Sequence, residues 1–217
     1  PALRAGVLEL RNCRGAGMGG SVTGNLVVAL QAAGGEGEYR GTIQAADIDP
    51  AQVAATYGAS ASDLVTGVGD GFVEFRVPAA DPQAMQGWGE VRIRNAALVR
   101  LPLLAVFFNI NPFEANNTDT LTARFEIRDR KVHFLFIHIA SPKGVVFMRG
   151  HVDFDGNVDM ALSYDPRTSQ DRVIPIIGPL FSQVLDPITR RLARFRVRGH
   201  ISAPVLVFNP FGGSAGQ

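Results

Sequence analysis

Cysteine is almost missing from this chain. The single Cys13 in 217 residues cannot close an internal disulfide, so there is no disulfide framework and the redox compartment is left undetermined. Net charge is nearly missing as well. With 21 Lys and Arg against 20 Asp and Glu, the balance is +1, which excludes a protein that holds nucleic acid by neutralising many phosphates. Long apolar runs are absent: the longest, Leu101 to Phe108, is followed by Asn109 and Asn111 and falls far short of the roughly 20 residues of a membrane-spanning helix. The chain begins at Pro1, shows no signal sequence and enters a strand pattern almost at once, which suggests a piece cut from a longer protein with its targeting information upstream.

Recognisable catalytic and metal-binding constellations are lacking too. Gly15-Ala16-Gly17-Met18-Gly19-Gly20 matches the dinucleotide-binding glycine pattern by letter, but that chemistry needs a helix N-terminus after the glycines, and Ser21 to Val28 reads as a strand. His133 and His138 are five apart, which places them on opposite faces of a regular strand and prevents shared metal binding. Asp47 and Asp49 resemble a cation site only weakly, because capping of a following helix accounts for Asp49. The sequon Asn116-Asn117-Thr118 is of a kind that arises often by chance. No nucleophile-elbow sequence accompanies the Ser, His and Asp residues, so the expectation is a protein that is not an enzyme, with no cofactor and no metal.

What the chain has is alternation. In Leu121 to Arg128, the residues Leu121, Ala123, Phe125 and Ile127 fall on one side, and Thr122, Arg124, Glu126 and Arg128 on the other. Val73, Phe75 and Val77 oppose Glu74 and Arg76, and Val91 and Ile93 oppose Glu90, Arg92 and Arg94. Each is a strand with one wet face, and together they imply a sheet with one continuous apolar face.

The opening half reads as strands over Gly6 to Arg11, Ser21 to Gln31 and Tyr39 to Ile48, broken at Gly15 to Gly20 and Gly34 to Gly37. Asp49 as N-cap and Pro50 at the first helical position predict a short helix ending before Gly58. Strands resume at Gly71 to Val77 and Gly89 to Ala97, and a buried short helix is expected over Leu101 to Phe108. Val132 to Ile139 is apolar on both faces, which predicts a strand covered on its outer side. A three-residue loop at Asp155-Gly156-Asn157 would pair Phe154 with Val158 and Val152 with Met160, put His151 and Asp153 outside, and place Asn157 in a left-handed conformation. Leu180, Val184, Ile188 and Leu192 form one stripe of a helix over about 179 to 195, kinked at Pro187, and a strand follows from Phe195 to Ile201.

Gly87-Trp88-Gly89-Glu90-Val91-Arg92-Ile93-Arg94-Asn95 and its continuation to Leu104 resembles the AsmA-like C-terminal region, in which a glycine-flanked strand runs into a leucine-proline helix. Phe125 to Asp129, Gly150 to Phe154, Ile174 to Leu180 and Val197 to Pro204 follow in that family's order, so the resemblance covers about residues 37 to 208. It implies an AsmA/TamB-type envelope protein, periplasmic and anchored to the inner membrane through an N-terminal segment outside this chain. It also implies a mainly β fold: a curved, largely antiparallel sheet with an apolar concave face and a few short helices, forming a groove or open half-barrel. Residues 1–208 are expected to make one β-rich domain and 209–217 a flexible tail.

The partner implied by the resemblance is the acyl chains of phospholipids. Groove candidates are Val73, Phe75, Val91, Ile93, Phe125, Ile127, Met148, Phe154, Met160 and Leu162. Periodicity alone favours a closed core, since burial is the usual fate of such a face, and it is the resemblance that reverses the preference. A second class of function is an assembly module that docks an envelope protein on a free sheet edge. Arg190, Arg191 and Arg194 are candidates for contact with an anionic membrane surface, or simply a solvated face near a helix C-terminus.

Overall fold

The computed structural model describes residues 2–4, 6–29, 37–57, 66–96, 119–142, 144–166, 193–201 and 203–208. Their strands are β1 (Ala2–Arg4), β2 (Val7–Gly17), β3 (Gly20–Ala29), β4 (Glu38–Ile48), β5 (Val68–Pro78), β6 (Gln86–Ala96), β7 (Asp119–Arg128), β8 (Lys131–Ser141), β9 (Gly144–Asp153), β10 (Asn157–Pro166), β11 (Ala193–His200) and β12 (Ala203–Phe208). They form one sheet in which every strand pairs antiparallel with the next in sequence, and the sheet does not close into a barrel. Among the described residues, one helix, α1 (Pro50–Tyr57), and a single 3₁₀ turn at Pro82–Ala84 interrupt it.

The helix begins where expected. The Asp49 Oδ1 accepts the Ala51 N–H at 2.9 Å, and the Asp49 N–H donates to the Met18 carbonyl at 2.7 Å, tying α1 to the β2–β3 turn. The glycines from Gly15 to Gly20 do not break the chain as expected: only Met18 and Gly19 form the turn, with φ of 53° and 82°, and Gly15, Gly17 and Gly20 lie in strands.

Cross-strand register carries the alternation of single strands across the whole sheet. One row runs Cys13, Gly24, Ile43, Val73, Gly89, Phe125, Phe134, Gly150, Met160, Val197, Leu206. The next runs Gly15, Val22, Ala45, Gly71, Val91, Ala123, Ile137, Met148, Leu162, Phe195, Phe208. Neither row contains a charge. Glycine 15, 17, 20, 24, 41, 69, 71, 87, 89, 144, 150 and 199, all those in the described strands, fall on this apolar face.

Sterics explain that placement beyond β2, where Gly15 and Gly17 meet nothing within 4 Å. A β-carbon at Gly24 would come within 2.5 Å of the Thr42 carbonyl oxygen, one at Gly87 within 2.4 Å of the Glu74 oxygen, and one at Gly150 within 2.2 Å of the Asp159 oxygen. Such crowding on one side is what a sheet bent toward that side produces, and glycine relieves it. Bulges add to the bend where register shifts at Asn12, Asp47 and Asn95, whose φ values of 52°, 56° and 52° are left-handed.

A fourth bulge corrects the reading of Val132 to Ile139. Register shifts between Phe134 and Ile137, so Val132, Phe134, Ile137 and Ile139 all face the apolar side while Leu135 and Phe136 are expelled, 49% and 38% exposed. The outer side of β8 is therefore not covered as expected. For the same reason His133 and His138 share the outer face, not opposite ones.

The β9–β10 loop is three residues long, as predicted, but displaced. Val152 pairs with Val158 and Met160 with Gly150, a two-residue shift that preserves which side chains face inward. Phe154 therefore sits in the loop, and Gly156 rather than Asn157 takes the positive φ, 87°. The cause is Asp153, whose Oδ1 accepts the N–H groups of Asp155 and Asn157 at 3.1 and 2.7 Å and so closes the turn one step earlier.

At the start of the sheet, β1 precedes the expected first strand and covers only Val7 to Glu9 of β2. At the other end, β11 begins at Ala193, inside the range expected as helix. The helices expected over 101–108 and 179–192, the sequon, and the tail 209–217 lie outside the described residues.

Candidate functional site

Nine of the ten groove candidates lie on the apolar face in adjoining rows. Phe75 and Ile127 belong to one row, Val73, Phe125 and Met160 to the next, Val91, Met148 and Leu162 to the third, and Ile93 to the fourth. Phe154 does not join them. It is 42% exposed in the β9–β10 loop, with its N–H donated to the Arg130 carbonyl at 3.0 Å.

Burial divides the face into two parts. Ala96, Ile139, Val146, Val158, Met160, Leu162, Tyr164 and Val197 form a closed core on β6 and β8–β11. Burial raises the Tyr164 hydroxyl pKa, with Asp165 adding to it. On β4 the corresponding positions are open, Tyr39 and Ile43 each being 40% exposed, and the neighbouring Val73 and Phe75 are half-buried. Met160 and Leu162 thus serve as core, with Ile93 and Met148 packed against it and Ile127 buried as well, while Val73, Phe75, Val91 and Phe125 remain half-buried outside that cluster.

Aromatic rings flatten the open part. A β-carbon on Gly41 would fall 2.7 Å from Phe75 Cζ, and one on Gly89 2.6 Å from Phe125 Cζ, so each ring lies across the bare backbone of its cross-strand partner. Sequence reasoning missed these pairs. Their signal is a glycine placed opposite an aromatic, which becomes visible only when the register is known.

The opposite face is charged and largely self-paired. Arg196 makes two hydrogen bonds to Asp159, 2.6 and 2.7 Å, and its guanidinium holds the Asp159 carboxyl below the usual carboxylate range against an opposing effect of burial. Glu38 is pushed up by burial, but hydrogen bonds from Arg40 and Arg76 outweigh it and its pKa is lowered. Arg124 pairs with Glu90, and Trp88 Nε1 donates to Glu74 at 3.1 Å. Two open hollows of about 460 and 620 Å³ lie on this side of β3–β7, the first walled by Val27, Arg40, Glu74, Arg76 and Trp88, the second by Thr23, Gln44, Asp70, Phe72 and Arg92.

Asp47 is engaged by Arg94 at 3.3 Å and Asp49 caps α1, so that pair is not a cation site. Among the described residues, no group of three or more His, Cys, Asp and Glu is placed to hold a metal ion, and no helix is long and apolar enough to cross a membrane. The Gly15 to Gly20 stretch leads into strand β3, so the helix that the dinucleotide-binding pattern requires directly after its glycines does not follow them. Of the three candidate arginines, Arg190 and Arg191 lie outside the described residues, and Arg194 is placed only as the backbone partner of Ser163.

Comparison with protein-family models, with characterised proteins and with solved structures finds no match.

Proposed function

We propose that this chain is a non-enzymatic, AsmA-like cell-envelope module that binds or conducts phospholipid acyl chains along its apolar face. The observation that carries the reading is the uncharged row from Cys13 to Leu206, closed as a core at one end and open on β2–β5. The glycines and the flattened Phe75 and Phe125 rings extend a smooth apolar strip from there to β7, suited to a chain of methylenes rather than to a shaped small molecule. Each methylene removed from water contributes roughly 0.8 kcal/mol, so half an acyl chain gives useful affinity without headgroup recognition. The order of the AsmA-like motifs supports reading the module as periplasmic and associated with the inner membrane. Native mass spectrometry of gently purified protein tests the reading: phospholipid adducts that are lost when Ile43 is replaced by Asp support it, and lipid-free protein under all gentle conditions refutes it.

A second reading, an assembly module that recruits an envelope protein by strand addition, is favoured by one observation. β1 covers only Val7 to Glu9, so among the described residues Leu10 to Gly17 of β2 has no neighbouring strand on that side.

A further inference from the structure

The β-bulge that moves His138 to the outer face leaves His133 there in direct register with His151 of β9, a pairing that crosses strands and cannot be read from spacing along one of them. The two rings stand 5.6 Å apart between centroids, tilted by 41°. Two imidazoles sharing one tetrahedral ion at nitrogen–metal distances of about 2.0–2.1 Å would have ring centres about 5 Å apart, so a small rotation suffices. His133 Nε2 is shut off from solvent and has no hydrogen-bond partner, which is unfavourable for a polar atom unless a donor or a cation reaches it.

We propose that His133 and His151 form a two-imidazole site for a borderline divalent metal ion, for which Zn²⁺ is the probe. The site lies on the charged face, away from the acyl-chain strip. Its row continues to Glu126 on one side and Asp159 on the other. Both carboxylates are already engaged, Glu126 by Arg128 at 3.5 Å and Asp159 by Arg196, so the pair supplies two protein ligands and water completes the coordination. The other two histidines are differently placed: His138 stacks on Phe147 at 4.7 Å, and His200 Nε2 lies 3.1 Å from the Asp155 carbonyl.

The test is titration of the whole chain with Zn²⁺ at pH 7.5, followed by calorimetry and by the imidazole ¹⁵N shifts of all four histidines. The expected result is one ion per chain, shifts confined to His133 and His151, and about tenfold or greater loss of affinity in both His133→Gln and His151→Gln, with His138→Gln unchanged. The shifts are read on the unaltered protein, so a variant that folds poorly does not decide the matter. Absence of binding up to millimolar Zn²⁺, or shifts centred on His138 or His200, overturns the proposal.

Discussion

The Phe125 ring lies across Gly89, its cross-strand partner, with Cζ 2.6 Å from the place a β-carbon would occupy. A contact that close is possible only with glycine. Gly89→Ala should therefore force the ring off the backbone and destabilise the fold by about 1–3 kcal/mol. Gly15→Ala is the matched control, since nothing lies within 4 Å of its β-carbon position, and it should be neutral or slightly stabilising. Urea denaturation of the two variants reads both outcomes.

The closed and open parts of the apolar face should respond differently to truncation. Leu162, 2% exposed, sits in the core cluster, and Leu162→Ala should cost about 2–5 kcal/mol. Ile43, 40% exposed, should lose about 1 kcal/mol or less as alanine. Phe154→Asp should change neither stability nor lipid content, because that side chain lies in the loop and off the face. Denaturation midpoints with lipid analysis of each variant check all three.

The Asp159–Arg196 pair gives a pH dependence of known sign. The folded-state pKa of Asp159 lies below its unfolded value, so its contribution is present above roughly pH 4 and lost as pH falls through the folded value. The Asp159 side chain is 31% and that of Arg196 38% exposed, and solvent screening limits the contribution to about 1 kcal/mol or less. Asp159→Asn should be less stable than the parent at pH 7, and the two should converge as the pH falls through the folded-state value of Asp159.

Strand addition at β2 predicts an exchange pattern. Backbone N–H groups of Leu10 to Gly17 that do not pair with β3 should exchange rapidly with deuterium in the free chain. A docked strand should protect alternate amides of this segment. Protection already present in the free, monomeric chain would contradict an available edge.

Much of this arrangement was legible in single strands. Alternation identified the face of β5, β6 and β7, and the Asp49-Pro50 start of α1 follows from capping chemistry. The β9–β10 loop shows why parity survives an error in register: a two-residue slip moves partners along the strand but keeps Val152, Met148 and Met160 on the same side. Bulges were not legible, because one inserted residue reverses parity, as in β8, where the His133–His151 pair depends on that reversal. Asn12, Asp47 and Asn95 carried a signal that a closer reading could use, since polar residues tolerant of positive φ inside alternating segments mark bulges.

Neighbouring residues on opposite faces provide the most direct test of the central claim. Ile43 pairs with Val73 on the apolar face, and Thr42 pairs with Glu74 on the charged face. A photoreactive phenylalanine analogue placed singly at each position, then illuminated with phospholipid present, reports which face meets acyl chains. The account predicts lipid adducts at 43 and 73, with none above background at 42 and 74. Equal labelling of both faces, or labelling confined to the charged face, would contradict it.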